Sequence, residues 1–220
     1  MFAGHYAAAF AAKTLEPRAP FWTYAGACQL VDIAWSGLVM GGVEKMRVDP
    51  HLPGSGLDLY FMPYTHSLPG AAAWSIGAAM LGRLFRLPWR AAVFIGLAVF
   101  SHWLLDLVVH RPDLLLWFGG PKVGLGLWNY PIPEMALEFG LVAVAGGAWI
   151  AARKDQALKA WPVVAFMGFL TALQMAAALA PNSDDAVAGG GLALAVYLLV
   201  TGLAGLVDRD EGGESAVLKE

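Results

Sequence analysis

The chain holds a single cysteine, Cys28, in 220 residues. One thiol makes no intrachain disulfide and no CxxC pair, so any metal would have to be held by histidines and carboxylates. Charge is also scarce, at 14% of residues, where soluble domains carry about a quarter. The positive residues form no cluster and the formal net charge is -3, which excludes a nucleic-acid partner, because phosphate binding needs concentrated Lys and Arg. No repeat period is evident. Ser67 and Ser101 each adjoin a histidine but neither sits in a G-x-S-x-G elbow, which argues against a serine hydrolase. The glycines of "VGLGLWNYP" lack the strand-to-helix setting of a nucleotide loop and read as a turn.

What the chain has instead is apolar length. It is 58% hydrophobic, with a mean hydropathy of +0.58, the character of an integral membrane protein. Segments close to the length that a bilayer core demands run from Tyr24 to Val43, Pro69 to Phe85, Ala91 to Val109, Met135 to Ala152, Trp161 to Ala180 and Gly189 to Val207. The expected fold is all-α: a polytopic bundle of about six transmembrane helices, with a short helix in "MFAGHYAAAFAAK" that is too short to span. Residues 1–207 read as one membrane domain and 208–220 as a polar, disordered tail.

Lys and Arg are retained on the cytoplasmic side of short loops. Placing Lys13 and Arg18 inside puts ten of the fourteen positive residues on that side. Only Lys45, Arg47, Arg111 and Lys122 fall opposite. The carboxyl terminus is then expected in the cytoplasm, with the loops 44–66 and 110–133 outside, and a bacterial inner membrane is the expected location.

Ionisable residues inside such spans are costly and call for partners or a bound cation. At about 1.5 Å of rise per residue, Asp32, His102 and Asp106 reach comparable depth in the outer half. His66 in "YTHSLPG" caps the layer from the loop, and Glu134 and Glu138 enter it on a later helix. If the N-terminal helix descends and the next one climbs back, His5 joins the same layer. His102, Asp106 and His110 in "SHWLLDLVVHRPD" are spaced by four, which puts them on one helix face. Pro112 soon ends that helix, so His110 stands equally well in the loop. Any one of these residues alone is better explained by an interhelical hydrogen bond; the collection favours a metal. His51 reads as a plain loop residue, and Asn129 as a weak candidate donor to the pocket. Imidazoles with carboxylates suit Zn²⁺ first, then Mn²⁺ or Fe²⁺.

"GHYAAAF", then Asp32 in "QLVDIAW", "THSL", "SHWLLD" and "HRPD" resemble the YdjM-like inner-membrane metal-dependent hydrolases over about the first 140 residues. The order is also similar to half of the site in zinc-dependent phospholipase C. That resemblance implies Asp32, His66, His102 and Asp106 as ligands of one ion and His5 as a ligand of a neighbouring one. Two departures stand out: a single Asp32 replaces the family's PDxD pair, and only His110 and Glu138 stand where a second ligand pair would be.

Together these readings lead to the expectation of a membrane-embedded metal-dependent hydrolase acting on a phosphoester, a membrane lipid or another small molecule. Zinc would activate water and Glu138 would accept the proton. The alternatives are a small transporter, oligomeric given its size, with a His/Asp proton relay, and a non-catalytic structural membrane protein.

Overall fold

The computed structural model describes residues 1–180 and 185–210. Among them it is all-helical apart from two small hairpins. A 3-10 turn, Ala3–His5, leads into α1 (Tyr6–Leu15), followed by α2 (Phe21–Cys28) and α3 (Leu30–Met40). A hairpin of β1 (Lys45–Val48) and β2 (Leu57–Phe61) precedes α4 (Leu68–Leu84) and α5 (Trp89–Val109). A second hairpin, β3 (Leu114–Leu115) and β4 (Lys122–Val123), leads to α6 (Pro131–Asp155), α7 (Trp161–Leu179) and α8 (Ala186–Ala204). Both hairpins are antiparallel.

The helix ends follow local chemistry. Ser67 caps α4 by accepting from Gly70 N, with a proline in the first turn, and Asp185 caps α8 by accepting from Val187 N and Ala188 N. Pro88 opens α5, and Pro112 bars its continuation beyond His110.

Four helices, α5 to α8, are long and apolar enough to cross a membrane. The other two expected spans take different forms. Residues Tyr24 to Val43 fall on α2 and α3, which are 8 and 11 residues long and break at Gln29. α4 has 17 residues, about 25 Å at helical rise and short of a hydrocarbon core of about 30 Å. Half of the α5 window is buried, against 22% for α6 and α7 and 11% for α8. α5 is therefore the axis, while α6 to α8 turn residues such as Val144, Leu179 and Leu192 outward, as lipid-facing helices do.

In lipid, helices associate by close packing and interhelical hydrogen bonds more than by the hydrophobic effect. Gly96 shows both. A Cβ there would lie 3.1 Å from Ser75 O, and Ser75 Oγ donates to Gly96 O at 2.6 Å, joining α4 to α5. At the centre Phe10, Phe21, Trp149 and Phe166 pack at centroid distances of 4.6 to 6.1 Å. This cluster encloses α1, which is buried inside the bundle rather than lying on its surface.

Residues 208–210 of the expected tail are tied into the body. Asp208 pairs with Lys13 at 2.7 Å and accepts from Phe21 N, and Asp210 accepts from Arg153 at 2.7 Å. Residues 211–220 lie outside the described ones.

Candidate metal centre

The 3-10 turn brings in His5, α3 brings Asp32, the residue pair before α4 brings His66, and the last two turns of α5 bring His102 and Asp106, with His110 at its C-cap. All six are buried. On one oxygen of Asp106 the geometry is tight: His102 Nε2 lies 3.1 Å and His66 Nε2 3.6 Å from Oδ2. The same two nitrogens lie 3.4 and 3.3 Å from Asp32 Oδ1. The other oxygen, Oδ1, faces His5 Nε2 at 3.1 Å, His110 Nε2 at 3.5 Å and the Met1 amino nitrogen at 3.3 Å. His5 also stacks on His102 at 3.7 Å.

The outer edges of three rings decide their tautomers. His102 Nδ1 lies 2.8 Å from the Cys28 carbonyl, which can only accept, so this nitrogen carries the hydrogen. That carbonyl is available because α2 ends there and its last carbonyls have no partner in the helix. His110 Nδ1 lies 2.9 Å from Asp113 Oδ1, another acceptor. His66 Nδ1 lies 2.8 Å from Thr65 Oγ1, whose own hydrogen goes to Glu44 Oε2 at 2.6 Å. In their neutral form these rings turn bare Nε2 lone pairs toward carboxylate oxygens, acceptor facing acceptor.

Protonated rings paired with the carboxylates, or a bound cation, would each reconcile these groups. His102 Nε2 and Asp106 Oδ2, 3.1 Å apart, and both ring nitrogens of His5 are not aligned as hydrogen bonds. The spacing suits ligands on a cation. Tetrahedral bonds of about 2.0–2.2 Å separate neighbouring donor atoms by about 3.3–3.6 Å, and the four contacts within the Asp32, His66, His102 and Asp106 set span 3.1 to 3.6 Å. These buried His and Asp groups could hold a metal ion.

A cavity of about 410 Å³ opens over the cluster. Asp32, His66, Asp106 and His110 form its polar floor, and Leu57, Leu59, Trp128 and Met135 contribute apolar wall. Glu134 and Glu138 line it from α6. Glu138 is wholly buried, and its oxygens accept from Phe2 N, Gly4 N and Gln174 Nε2 at 2.9 to 3.3 Å. Its carboxylate therefore clamps the turn that carries His5.

Two residues considered from the sequence lie elsewhere. His51 is exposed in the β1–β2 loop. Asn129 accepts from Arg111 Nε at 2.9 Å instead of donating into the pocket. Arg111 also donates to the carbonyls of Pro53, Ser55 and Leu57, fastening the β1–β2 loop above the cavity. Sequence reasoning missed Glu44, Tyr197 and the Cys28 carbonyl. Tyr197 on α8 lines the cavity beside Asp32. No motif marks any of the three; Asp113, three residues after His110, was the one outer acceptor with a spacing that hinted at its role.

Searches against family models, curated proteins and solved structures find no match for this chain.

Proposed function

We propose that the protein is a membrane-embedded, metal-dependent hydrolase of a phosphoester with an apolar substituent, a membrane lipid in the first instance. The observation that carries this reading is the convergence of bare imidazole lone pairs and carboxylate oxygens at ligand spacing. Asp32, His66, His102 and Asp106 would hold one divalent cation, zinc first. The second oxygen of Asp106, with His5 and His110, would extend the donor set. The cation would supply Lewis-acid activation of water and of a phosphoryl oxygen.

The chain's own residues supply the rest. The apolar wall seats the substituent while the polar floor draws the phosphate inward. Glu138 is engaged by three donors, which favour its ionised form and keep it the residue that would take up the proton. Arg111 holds the β1–β2 loop so that the cavity is roofed. The distribution of Lys and Arg supports an orientation with this cavity at the outer face and the carboxyl terminus in the cytoplasm.

The test is metal analysis of detergent-purified protein, followed by turnover of a generic phosphodiester. Near-stoichiometric zinc is expected, with metal and turnover lost together in Asp106→Asn, because the amide keeps the shape but is a far poorer ligand. Wild-type protein that stays folded and metal-free after supplementation overturns the reading and favours the proton relay.

A further inference from the structure

We propose that Glu44, acting through Thr65, is a positioning residue that fixes His66 in its ligating tautomer; the proposal rests on the metal-centre reading above. Glu44 precedes β1, far from His66 in sequence, and is 1% exposed. Its Oε1 accepts from Tyr64 N at 2.8 Å and Thr65 N at 3.0 Å, and its Oε2 accepts from Thr65 Oγ1 at 2.6 Å. Thr65 Oγ1 in turn lies 2.8 Å from His66 Nδ1.

The direction of this chain follows from counting hydrogens. A hydroxyl has one hydrogen and can either donate or accept toward an imidazole. By itself Thr65 would leave both His66 tautomers open. The Glu44 carboxylate only accepts, so it takes the hydroxyl hydrogen and leaves Thr65 a lone pair for His66. Nδ1 must then carry the ring hydrogen, and Nε2 is left bare toward Asp32 and Asp106. Neither other ring needs such a device: His102 meets a carbonyl and His110 meets a carboxylate directly. Outer partners of this kind orient metal ligands and raise their basicity.

Glu44→Gln reverses the chain with almost no change of shape. The two backbone N–H groups claim the amide oxygen, so the amide NH₂ faces Thr65 Oγ1. Thr65 then donates to His66 Nδ1, and the ring hydrogen moves to Nε2, where it blocks ligation. The experiment records the ¹⁵N histidine spectrum of the metal-free full chain in detergent, together with Zn²⁺ affinity by chelator competition. Wild type is expected to show Nδ1–H for His66, and Glu44→Gln to show Nε2–H with about 10- to 100-fold weaker Zn²⁺ binding. Thr65→Val should lose affinity similarly, and Thr65→Ser, which keeps the hydroxyl, should restore it to within about threefold of wild type.

An unchanged tautomer in Glu44→Gln overturns the proposal, whether affinity is retained or falls along with the thermal midpoint, since such a fall marks a merely structural role. Failure of Thr65→Ser to rescue also overturns it. If the tautomer responds to Glu44 but the wild type binds no divalent cation, the relay stands and the metal reading falls.

Discussion

The two ends of α1 and α5 carry buried charge in opposite conditions. Near Leu15 and Arg90, each charge meets its opposite at short range: Lys13 to Asp208 at 2.7 Å, Arg153 to Asp210 at 2.7 Å, and Arg18 to Glu16 at 2.6 and 2.7 Å. Near His5 and Val109, the contacts run from 3.1 to 3.6 Å and leave buried atoms without partners, although the Met1 ammonium donates to Asp106 Oδ1 at 3.3 Å. One end is a closed electrostatic account among side chains. The other holds one fixed positive group, the Met1 ammonium on Asp106, and still leaves polar atoms unpartnered. Burial of charge alone therefore does not single out a candidate site; incomplete satisfaction at ligand spacing does.

The largest expected effect falls on the unsatisfied end. His102→Ala should weaken divalent-cation affinity by at least about 100-fold, because one of four ligands is gone and two acids are left facing each other. Asp106→Asn should do the same, and because it also takes the charge partner from the buried Met1 ammonium it should lower the stability of the metal-free protein. Isothermal titration with Zn²⁺ and thermal unfolding in one detergent check both. Equal Zn²⁺ affinity in wild type and Asp106→Asn would break the comparison.

Next comes the satisfied end. Lys13→Ala takes the charge partner from the half-buried Asp208 and a donor from the Pro17 and Ala19 carbonyls, and should cost about 3 kcal/mol of stability. Cation affinity should stay within about threefold of wild type. A Lys13→Ala protein that unfolds like wild type, or that loses its metal while folded, would show that the two ends are not distinct in kind.

The smallest effect is a slope. Arg18 holds the Glu16 carboxyl below its ordinary range through side-chain hydrogen bonds that outweigh the opposing effect of burial, with Arg90 adding attraction. A carboxyl lowered in the folded state adds stability that is fully present above its unfolded value of about 4.3 and is lost as pH falls through the folded value. The thermal midpoint of wild type should therefore drop more steeply below about pH 4.3 than that of Glu16→Gln. Parallel curves would remove Glu16 from the satisfied set.

Much of the site's composition was legible because depth is arithmetic in a membrane helix. Spacing by four put His102, Asp106 and His110 on one face, and counting from the span ends put Asp32 level with them. Even His5 followed from a descending helix and a returning one. The break at Gln29 was not legible, since "ACQLVD" reads as unbroken apolar helix and only tertiary contacts stop it. Glu44 was invisible for a different reason: it serves His66 across a turn formed by residues far apart in sequence. Glu138 shows a third limit. Its depth was readable, but its hydrogen-bond partners, the backbone amides of an irregular turn, were not.

The break at Gln29 sets local stability against the site in the course of sequence drift. Gln29 is fully buried and donates to Phe2 O at 3.0 Å, and the carbonyl just before it orients His102. Replacement by Ala would remove the bond to Phe2 O and let the ladder run on, so that the Cys28 carbonyl engages the amide four residues ahead, that of Asp32. Lineages selected for thermal endurance alone should accumulate such replacements at this position, gaining helix while loosening the proposed cation site. Lineages in which the proposed metal site is under selection should keep a side chain there that reaches Phe2 O.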